Sequence, residues 1–537
     1  MFLQLNKVIP LYFILCFLLF IFFNPSDSKG ASDSKGEYYS NAKIPDCSFK
    51  TEDSTAIDKC YINKVRKLDL PNPDIYTNKT VVKIALNGSI NFNNLNEYQI
   101  SKSLVRSESI PIKKYSNVGE PSFASNGTII FYVGNHYAAR SIDGKNWQYV
   151  NPSFDFRGNE VNVREQPTGK IIDLFWADQR VIYDENHQIF IWIRQGEIIK
   201  EGQSLQTNID RIAVSKDTIN LTVYDLRPRD IFKDFGIRNA AFDYPEIIVN
   251  DKYLYFTSSI ADFFTGKTYG AVIRFSLNDL GNHTTVNFDA KLDREVIAIT
   301  PVDGTSNPVY LGTHLPNDTS KMKIYSWTDN FNFTHEKIVN INPWNDIHNA
   351  EYCNTESKLW WCQAHTSSKI RNAWLFNNTI SFLWNAVITY DNGKTWQPFI
   401  DAATFDLNNN MTYTRKYYLS NDSIPWVFGA ATPDDNNRLG LIAYYITNNN
   451  INPYLNLAFG VFNHTNNKWD LDEIIWSNLH LPVIDKNNKA NYDWGDFLTI
   501  RTHVPSSSYN NYSWDAGGYA LIGEHYFDIA PYFFKIR

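Results

Sequence analysis

Four acidic residues hold matching places in this sequence. Glu120, Asp178, Asp243 and Asp496 each stand at the entry to an apolar, strand-like run: EPSFASNGTIIFYVG, DQRVIYDENHQIFIWIRQG, DYPEIIVNDKYLYFTSSI and DFLTIRTHV. Carboxyl groups in register have three chemical uses. Gathered together, they are oxygen ligands suited to calcium. As a pair, one protonated and one ionised, they run glycoside hydrolysis. Singly, each accepts the N–H groups of its own loop, as in an Asx turn. Like charges brought together without a counter-charge raise one another's pKa. Arg180 and Arg501 lie a few residues downstream as counter-charges, and Glu246, Glu351, His348 and His503 occupy similar neighbourhoods. Asp178, Asp243, Glu120 and Asp496 are therefore the catalytic candidates, and Arg180, Glu246, Arg501 and His503 the ligand-binding candidates. No cofactor is required by any of these readings. Calcium is the one ion the acids suggest, and no metal-ligand set is assigned. Ser-His-Asp arrangements, GxGxxG, P-loop, CxxC and HExxH patterns are absent from the sequence.

The elements that must position these acids recur. From Glu120 onward a polar or acidic residue enters an apolar strand, a polar turn follows, and a second, more aromatic strand returns. Clear starts fall at 120, 178 and 243, with less regular ones at NAEYCNTESKLWWCQA and NAWLFNNTISFLWNA. The step between starts holds four strands of ordinary length. Repetition of a four-stranded unit is the signature of a β-propeller. The reading is an all-β fold of six or seven blades over residues 118–537. A β-sandwich does not account for the repeated unit. In a propeller the innermost strands run the same way, so Glu120, Asp178, Asp243 and Asp496 ring one mouth of the central channel. Trp360, Trp361, Trp374 and Trp384 either stack on sugar rings or pack blade on blade.

Two turns are more specific. SIDGKNW (Ser141–Trp147) and TYDNGKTW (Thr389–Trp396) both read Ser/Thr-x-Asp-(x)-Gly-x-x-Trp. Gly144 and Gly393 supply the positive φ of a tight hairpin. Asp143 and Asp391 accept N–H groups of the turn, and the hydroxyls of Ser141 and Thr389 add a bond. Trp147 and Trp396 cover the turn with an apolar ring. The role is structural.

With these turns in place, FYVGNHYAARSIDGKNWQYV (Phe131–Val150) resembles a blade of the Asp-box, or BNR-repeat, proteins of the sialidase superfold. WADQRVIYDENHQIFIWIRQG and WGDFLTIRTHV resemble blade starts of exported members. The resemblance implies a propeller, Asp-boxes joining outer strands away from the central site, and ancestry shared with exo-acting glycosidases. The sequence departs from true sialidases at their aromatic-Arg-Ile-Pro motif: here Glu108-Ser109-Ile110-Pro111 has serine in the arginine's place. Neither a full arginine triad nor a tyrosine–glutamate nucleophile pair is identified by motif, so sialic-acid hydrolysis is not the expected activity.

Size and charge bound the rest. The 537 residues are 15% aromatic, which suits strands packed on strands, and the net charge of −7 without a Lys/Arg run excludes a nucleic-acid partner. Lys7 is followed by the apolar run Val8–Phe23, so residues 1–25 read as a signal peptide or a membrane anchor. Residues 26–41 (SDSKGASDSKG at their start) read as a flexible linker, and 42–117 as an N-terminal cap or the closing strand region. The chain is then secreted or anchored at the outer face of the cell membrane, and touches the membrane only through that segment. Cys47, Cys60, Cys353 and Cys362 remain outside it; pairing Cys47–Cys60 and Cys353–Cys362 closes two short loops. Asn-x-Ser/Thr sequons from Asn78 to Asn511 fit glycosylation of an exported chain. The functional expectation is recognition of a carbohydrate or a surface protein at the channel face. An exo-acting glycoside hydrolase using two channel carboxylates and a structural cell-envelope protein are the alternatives.

Overall fold

A strand whose every side chain is apolar needs cover on both faces, and IFIWI at Ile189–Ile193 finds it. Ile189, Ile191 and Ile193 pack toward one neighbouring sheet, while Phe190 and Trp192 pack toward the other. Most of this chain is built so. The computed structural model describes residues 37–43, 91–92, 100–105, 119–135, 137–152, 175–196, 199–201, 205–330, 333–346, 369–390, 395–420, 424–447, 454–475, 498–505, 512–521 and 529–537. Seven sheets form the blades of a β-propeller. Asp496, Glu351, His348, Trp360, Trp361, the four cysteines, the apolar run at 8–23 and the turn residues Asp391 and Gly393 lie outside the described residues. Among the described residues no helix is long and apolar enough to cross a membrane.

From the channel outward, blade 1 is Ser122–Ser125, Ile130–Gly134, Tyr137–Ser141 and Gln148–Val150. Blade 2 is Phe175–Asp184, Ile189–Gly196, Asp210–Ser215 and Thr222–Leu226, with a small hairpin, Ile199–Glu201 and Leu205–Thr207, after its second strand. Blade 3 is Ala240–Val249, Tyr253–Asp262, Lys267–Ser276 and Asn287–Asp293, extended by Glu37–Lys43. Blade 4 is Thr300–Pro301, Val309–Leu315, Asp318–Trp327 and Phe333–Asn340. Blade 5 is Ile370–Phe376, Thr379–Tyr390, Thr395–Asp406 and Thr412–Thr414. Blade 6 is Trp426–Pro433, Leu439–Thr447, Tyr454–Asn463 and Lys468–Ile475, extended by the parallel strand Asn91–Phe92. Blade 7 is Thr499–Thr502, Trp514–Leu521 and Ile529–Ile536, and its outermost strand is Ile100–Leu104. The N-terminal part of the chain thus closes the last blade, with Ile100 opposite Ile536 and Leu104 opposite Tyr532.

The core is not one mass but seven slabs, one in each seam between neighbouring blades. Trp374 and Trp384 are buried in two of these slabs, so blade packing and not sugar stacking accounts for them. Contacts are close enough that Gly312 of blade 4 leaves room for the Phe382 ring of blade 5; a Cβ there would lie 2.3 Å from it. The seam between blades 7 and 1 completes the circle through Phe123, Trp147 and Phe533.

The turn at Ser141 has the expected wiring. Ser141 Oγ donates to Asp143 Oδ1 (2.9 Å), which accepts from Lys145 N and Asn146 N, while Gly144 has φ 68°. Trp147 is buried and its Nε1 donates to Ser103 Oγ of the closing strand. A second turn with the same bonds occurs at the same place in blade 2, in SKDTIN. Ser215 Oγ donates to Asp217 Oδ1, which accepts from Ile219 N and Asn220 N, and Thr218 (φ 62°) replaces the glycine. The turn after Thr389 differs. It joins the second and third strands of blade 5, whereas those at Ser141 and Ser215 join third and fourth strands. Sequence likeness therefore groups two turns at opposite ends of their blades and misses one true pair.

Partial burial pushes the Asp217 carboxyl up, and the bonds from Asn220, Ile219 and Ser215 outweigh it and bring it down to about 2. A depressed carboxyl pKa adds stability above about pH 4, and that stability is lost as pH falls through about 2. Asp217→Ala is expected to cost about 1 kcal/mol at neutral pH, screening at the surface keeping the effect small. Thermal melts of both proteins at pH 7 and pH 2 check this: the gap should close at the lower pH.

Candidate functional site

The sequence places an acid or polar residue at each strand entry, and the structure places the cleft one step deeper. Ser122 of blade 1, Arg180 of blade 2, Glu246 of blade 3, Thr300 and Asp303 of blade 4, Arg371 and Asn372 of blade 5, and Thr499 and Arg501 of blade 7 line one cleft in the channel. Glu120, Asp178 and Asp243 precede Ser122, Arg180 and Glu246 by two or three residues, about 7–10 Å of strand. They do not line the cleft. Glu120 is buried with φ 37°. Asp243 accepts from Gln195 Nε2 at 3.4 Å, and its N–H donates to Ser258 Oγ. Asp178 and Asp243 act instead on Asp210, which sequence reading did not single out. Burial pushes the Asp210 carboxyl well above the usual range, and the two neighbouring carboxylates raise it further against a bond from Gly196 N. Among the described residues no group of His, Cys, Asp and Glu is placed to hold a metal ion.

Bulges aim the cleft residues. The innermost strands of blades 2, 3, 5 and 6 shift register at Phe175/Gln179, Asp243/Glu246, Ile370/Asn372 and Val427/Ala430. A bulge bends its strand and re-aims side chains. Arg180 and Glu246 follow such shifts at once, and Arg371 is itself the extra residue. Tyr244 lies within the blade 3 bulge at φ 65°, an uncommon conformation for a bulky residue.

The cleft wall is stitched from blade to blade. Ser122 Oγ accepts from Val181 N at 3.1 Å, Thr300 Oγ1 donates to Ile370 O at 3.0 Å, and Asn372 Oδ1 accepts from Ala431 N at 2.9 Å. Thr499 Oγ1 donates to Pro121 O at 2.7 Å, and Arg501 donates to Phe123 O (3.0 Å) and Val181 O (3.3 Å). Such a wall holds its polar groups in place before any ligand arrives.

Three guanidinium groups face two carboxylates here, Glu246 and Asp303. Arg180 Nη2 pairs with Glu246 Oε1 at 3.2 Å. Burial pushes the Glu246 carboxyl up, and Arg180 only partly pulls it back. Burial lowers the Arg501 pKa, Asp303 and Glu246 oppose this, and Arg180 adds to it. Among the described lining residues the guanidinium groups outnumber the carboxylates, three to two. The cleft encloses about 70 Å³, room for on the order of five waters.

Of the ligand-binding candidates, Arg180, Glu246 and Arg501 meet in the cleft. His503 does not: it is buried inside blade 7 with Nδ1 2.9 Å from Asp515 Oδ1. Arg371 and Asp303 were missed. Arg371 had a signal, because KIRNAWLF repeats the pattern of DQRVIY and TIRTHV, an arginine just inside a strand entry. Asp303 had none, since it follows an innermost strand of two residues.

No family model and no curated protein matches the sequence. Among solved structures the chain is similar to a polysaccharide lyase of family PL25, an ulvan lyase bound to -[GlcA(1-4)Rha3S]-, at 10% identity. That match covers 78% of this chain and 93% of the other with a TM-score of 0.40. It is also similar to α-L-arabinanase of Penicillium chrysogenum complexed with arabinobiose, at 10% identity over 81% of this chain and 97% of that one, TM-score 0.35. A thermostable family-43 glycoside hydrolase matches at 9% identity over 68% and 96%, TM-score 0.30. These neighbours are carbohydrate-active proteins; at such scores the function of this chain is argued from its own residues.

Proposed function

We propose that the propeller binds an acidic carbohydrate, its carboxylate or sulfate group seated among Arg180, Arg371 and Arg501 at the channel mouth. The convergence of three arginines from three blades on one small cleft carries this reading. Guanidinium groups present forked donors that match planar oxyanions. The resemblance of the Ser141 turn and the blade starts to the sialidase superfold supports a sugar over a peptide carboxylate. An exported chain, secreted or held at the outer face of the membrane, would meet such sugars there. Calorimetric titration of the full chain with glucuronate, galactose 6-sulfate and neutral galactose tests the reading. Binding of the two acidic sugars alone is the expected result; equal binding of galactose, or none of any, overturns it.

Hydrolysis is the second reading, favoured by one observation: burial keeps the Glu246 carboxyl protonated to higher pH than usual, as a general acid requires. A screen for released sugar on acidic oligosaccharides decides it. In either case the cleft gains a positive charge when Glu246 is protonated. Affinity for galactose 6-sulfate, whose sulfate stays charged, is expected to rise as pH falls through the raised Glu246 pKa. Glu246→Gln should hold the affinity at its low-pH level and flatten that dependence. A pH series of titrations on both proteins checks this.

A further inference from the structure

We propose that the propeller is modified on one end, with N-linked glycans on Asn126, Asn220, Asn282, Asn377, Asn410 and Asn463 where the innermost strands finish. The inference rests on export of the chain and not on the anion-binding reading. Each of these residues begins an Asn-x-Thr triplet: NGT, NLT, NHT, NNT, NMT and NHT. Topology sorts them. Neighbouring strands within each of these blades are antiparallel. The connections after the first and third strands therefore lie at one end of a blade, and the connection after the second at the other. Asn126 and Asn377 stand between first and second strands, in blades 1 and 5. Asn220, Asn282 and Asn410 stand between third and fourth strands of blades 2, 3 and 5, and Asn463 ends the third strand of blade 6. Seven Asn-x-Thr triplets begin at described residues, and these six share one end. The seventh, at Asn317, lies between the second and third strands of blade 4.

Tight turns favour asparagine whatever follows it, and Asn186 and Asn250 stand in turns at this same end without a threonine two places on. The turn therefore accounts for the asparagine. Packing does not account for the threonine at Thr128 and Thr465, which are exposed. Asn220, Asn282, Asn377 and Asn410 are exposed and Asn126 and Asn463 half-buried, so a sugar on any of them meets solvent. Transfer from a diphosphate-linked sugar donor forms a bond from Nδ2 to the sugar C1. The C1–O bond breaks, the diphosphate leaves with its electron pair, and the amide nitrogen gives up one proton. The product is a secondary amide that keeps Oδ1 and one N–H. Those atoms are the ones the fold uses. Asn126 Oδ1 accepts from Thr128 N and Ile129 N, Asn463 Oδ1 from Thr465 N, and Asn410 Oδ1 from Lys337 Nζ. Nδ2 of Asn220, Asn282 and Asn463 each donates a single bond, to Asp217 Oδ2, Asn278 Oδ1 and Asp470 Oδ2. Ile219, 60% exposed beside Asn220, comes under the glycan there. A bulky, hydrated cover at this end keeps other proteins from it.

The test maps the sugars directly. The full chain, produced in cultured animal cells, is treated in heavy-oxygen water with an amidase that releases N-linked glycans. Each glycosylated asparagine becomes an aspartate carrying the heavy oxygen, and mass spectrometry of the peptides locates it. Label at all six asparagines is the expected result. A chain recovered from the medium or the membrane fraction with most of the six unlabelled overturns the proposal, and so does label at Asn317 with the six bare. Thr128→Ala and Thr465→Ala, at exposed positions, should remove label from Asn126 and Asn463 respectively and leave the other sites labelled; label that persists at the altered triplet overturns the assignment there. A chain found only in the cytosol and without sugar ends the export reading and this proposal with it. Failure of the wild type to bind acidic sugars would end the anion-binding reading and leave these sites standing.

Discussion

Arg371→Gln is expected to lower affinity for glucuronate and galactose 6-sulfate by about 10- to 100-fold, a loss of about 1.5–3 kcal/mol typical of hydrogen bonds to a charged group. The three arginines differ in what else they hold. Arg180 pairs with Glu246, so Arg180→Gln leaves a buried carboxylate without its cation. That carboxyl already leans toward protonation, which limits the damage at low pH and exposes it at high pH. Arg501 ties blade 7 to the backbone of blades 1 and 2, so Arg501→Gln takes donors from the carbonyls of Phe123 and Val181. Arg371 rests on the Tyr244 ring. All three substitutions should weaken binding, and Arg180→Gln and Arg501→Gln should lower the melting temperature as well. Titration and thermal melts of the three variants, side by side, are the check. Unchanged affinity in all three would end the anion-binding reading.

The second large effect concerns closure. A chain beginning at residue 106 lacks Ile100–Leu104 and Val105. Blade 7 then loses its outer strand, a buried valine and the Val105 N–H bond to Pro531 O at 2.8 Å. Five residues of ladder at about 0.5–1.5 kcal/mol per bond, with the valine's burial at about 1.5–3 kcal/mol, approach the whole stability of an ordinary domain. The bared edge of Ile529–Ile536 would also be open to pairing with other chains. The expected result is loss of a cooperative melt and aggregation. Of the described residues, a chain beginning at residue 97 lacks the strands Glu37–Lys43 and Asn91–Phe92, which lie outside complete four-stranded blades. It should melt cooperatively with a modest fall in temperature. Circular dichroism melts and size-exclusion profiles of the two truncations decide. Equal behaviour would mean that Ile100–Leu104 does not close the ring.

Much of this architecture was legible where the chain obeys simple periodicity. The starts read at Glu120, Asp178 and Asp243 find the first strands of blades 1, 2 and 3, but Asp178 and Asp243 lie inside those strands and not at their entries; the hairpin wiring around Asp143 follows from its residue types. The seven-blade count was not legible. Blade 4 begins with a two-residue strand, and the first strand of blade 6 is broken by a bulge at Phe428 and Gly429, so neither presents an alternating run. The cleft was legible in part for the same reason. Bulges displace side chains from the face that period-two counting assigns, so an acid-ring register pointed to Asp178 and Asp243 while the strand delivered Arg180 and Glu246. Arg371 escaped because an extra residue has no place in a periodic pattern. Thr218 hid the blade 2 turn because a motif written around glycine does not admit a β-branched residue at φ 62°.

The closing pair has a mechanical meaning. Ile100 and Ile536 are partners, so the two strands leave this ladder side by side at those residues, while Leu104 and Tyr532 lie at its far end. Tension applied between residues 100 and 536 would load the hydrogen bonds one at a time from Ile100 inward, as a zipper opens, and not all at once in shear. The ring is packed through seven seams, yet under a pull on these two residues it should yield first, and at low force, at the strand that locks it.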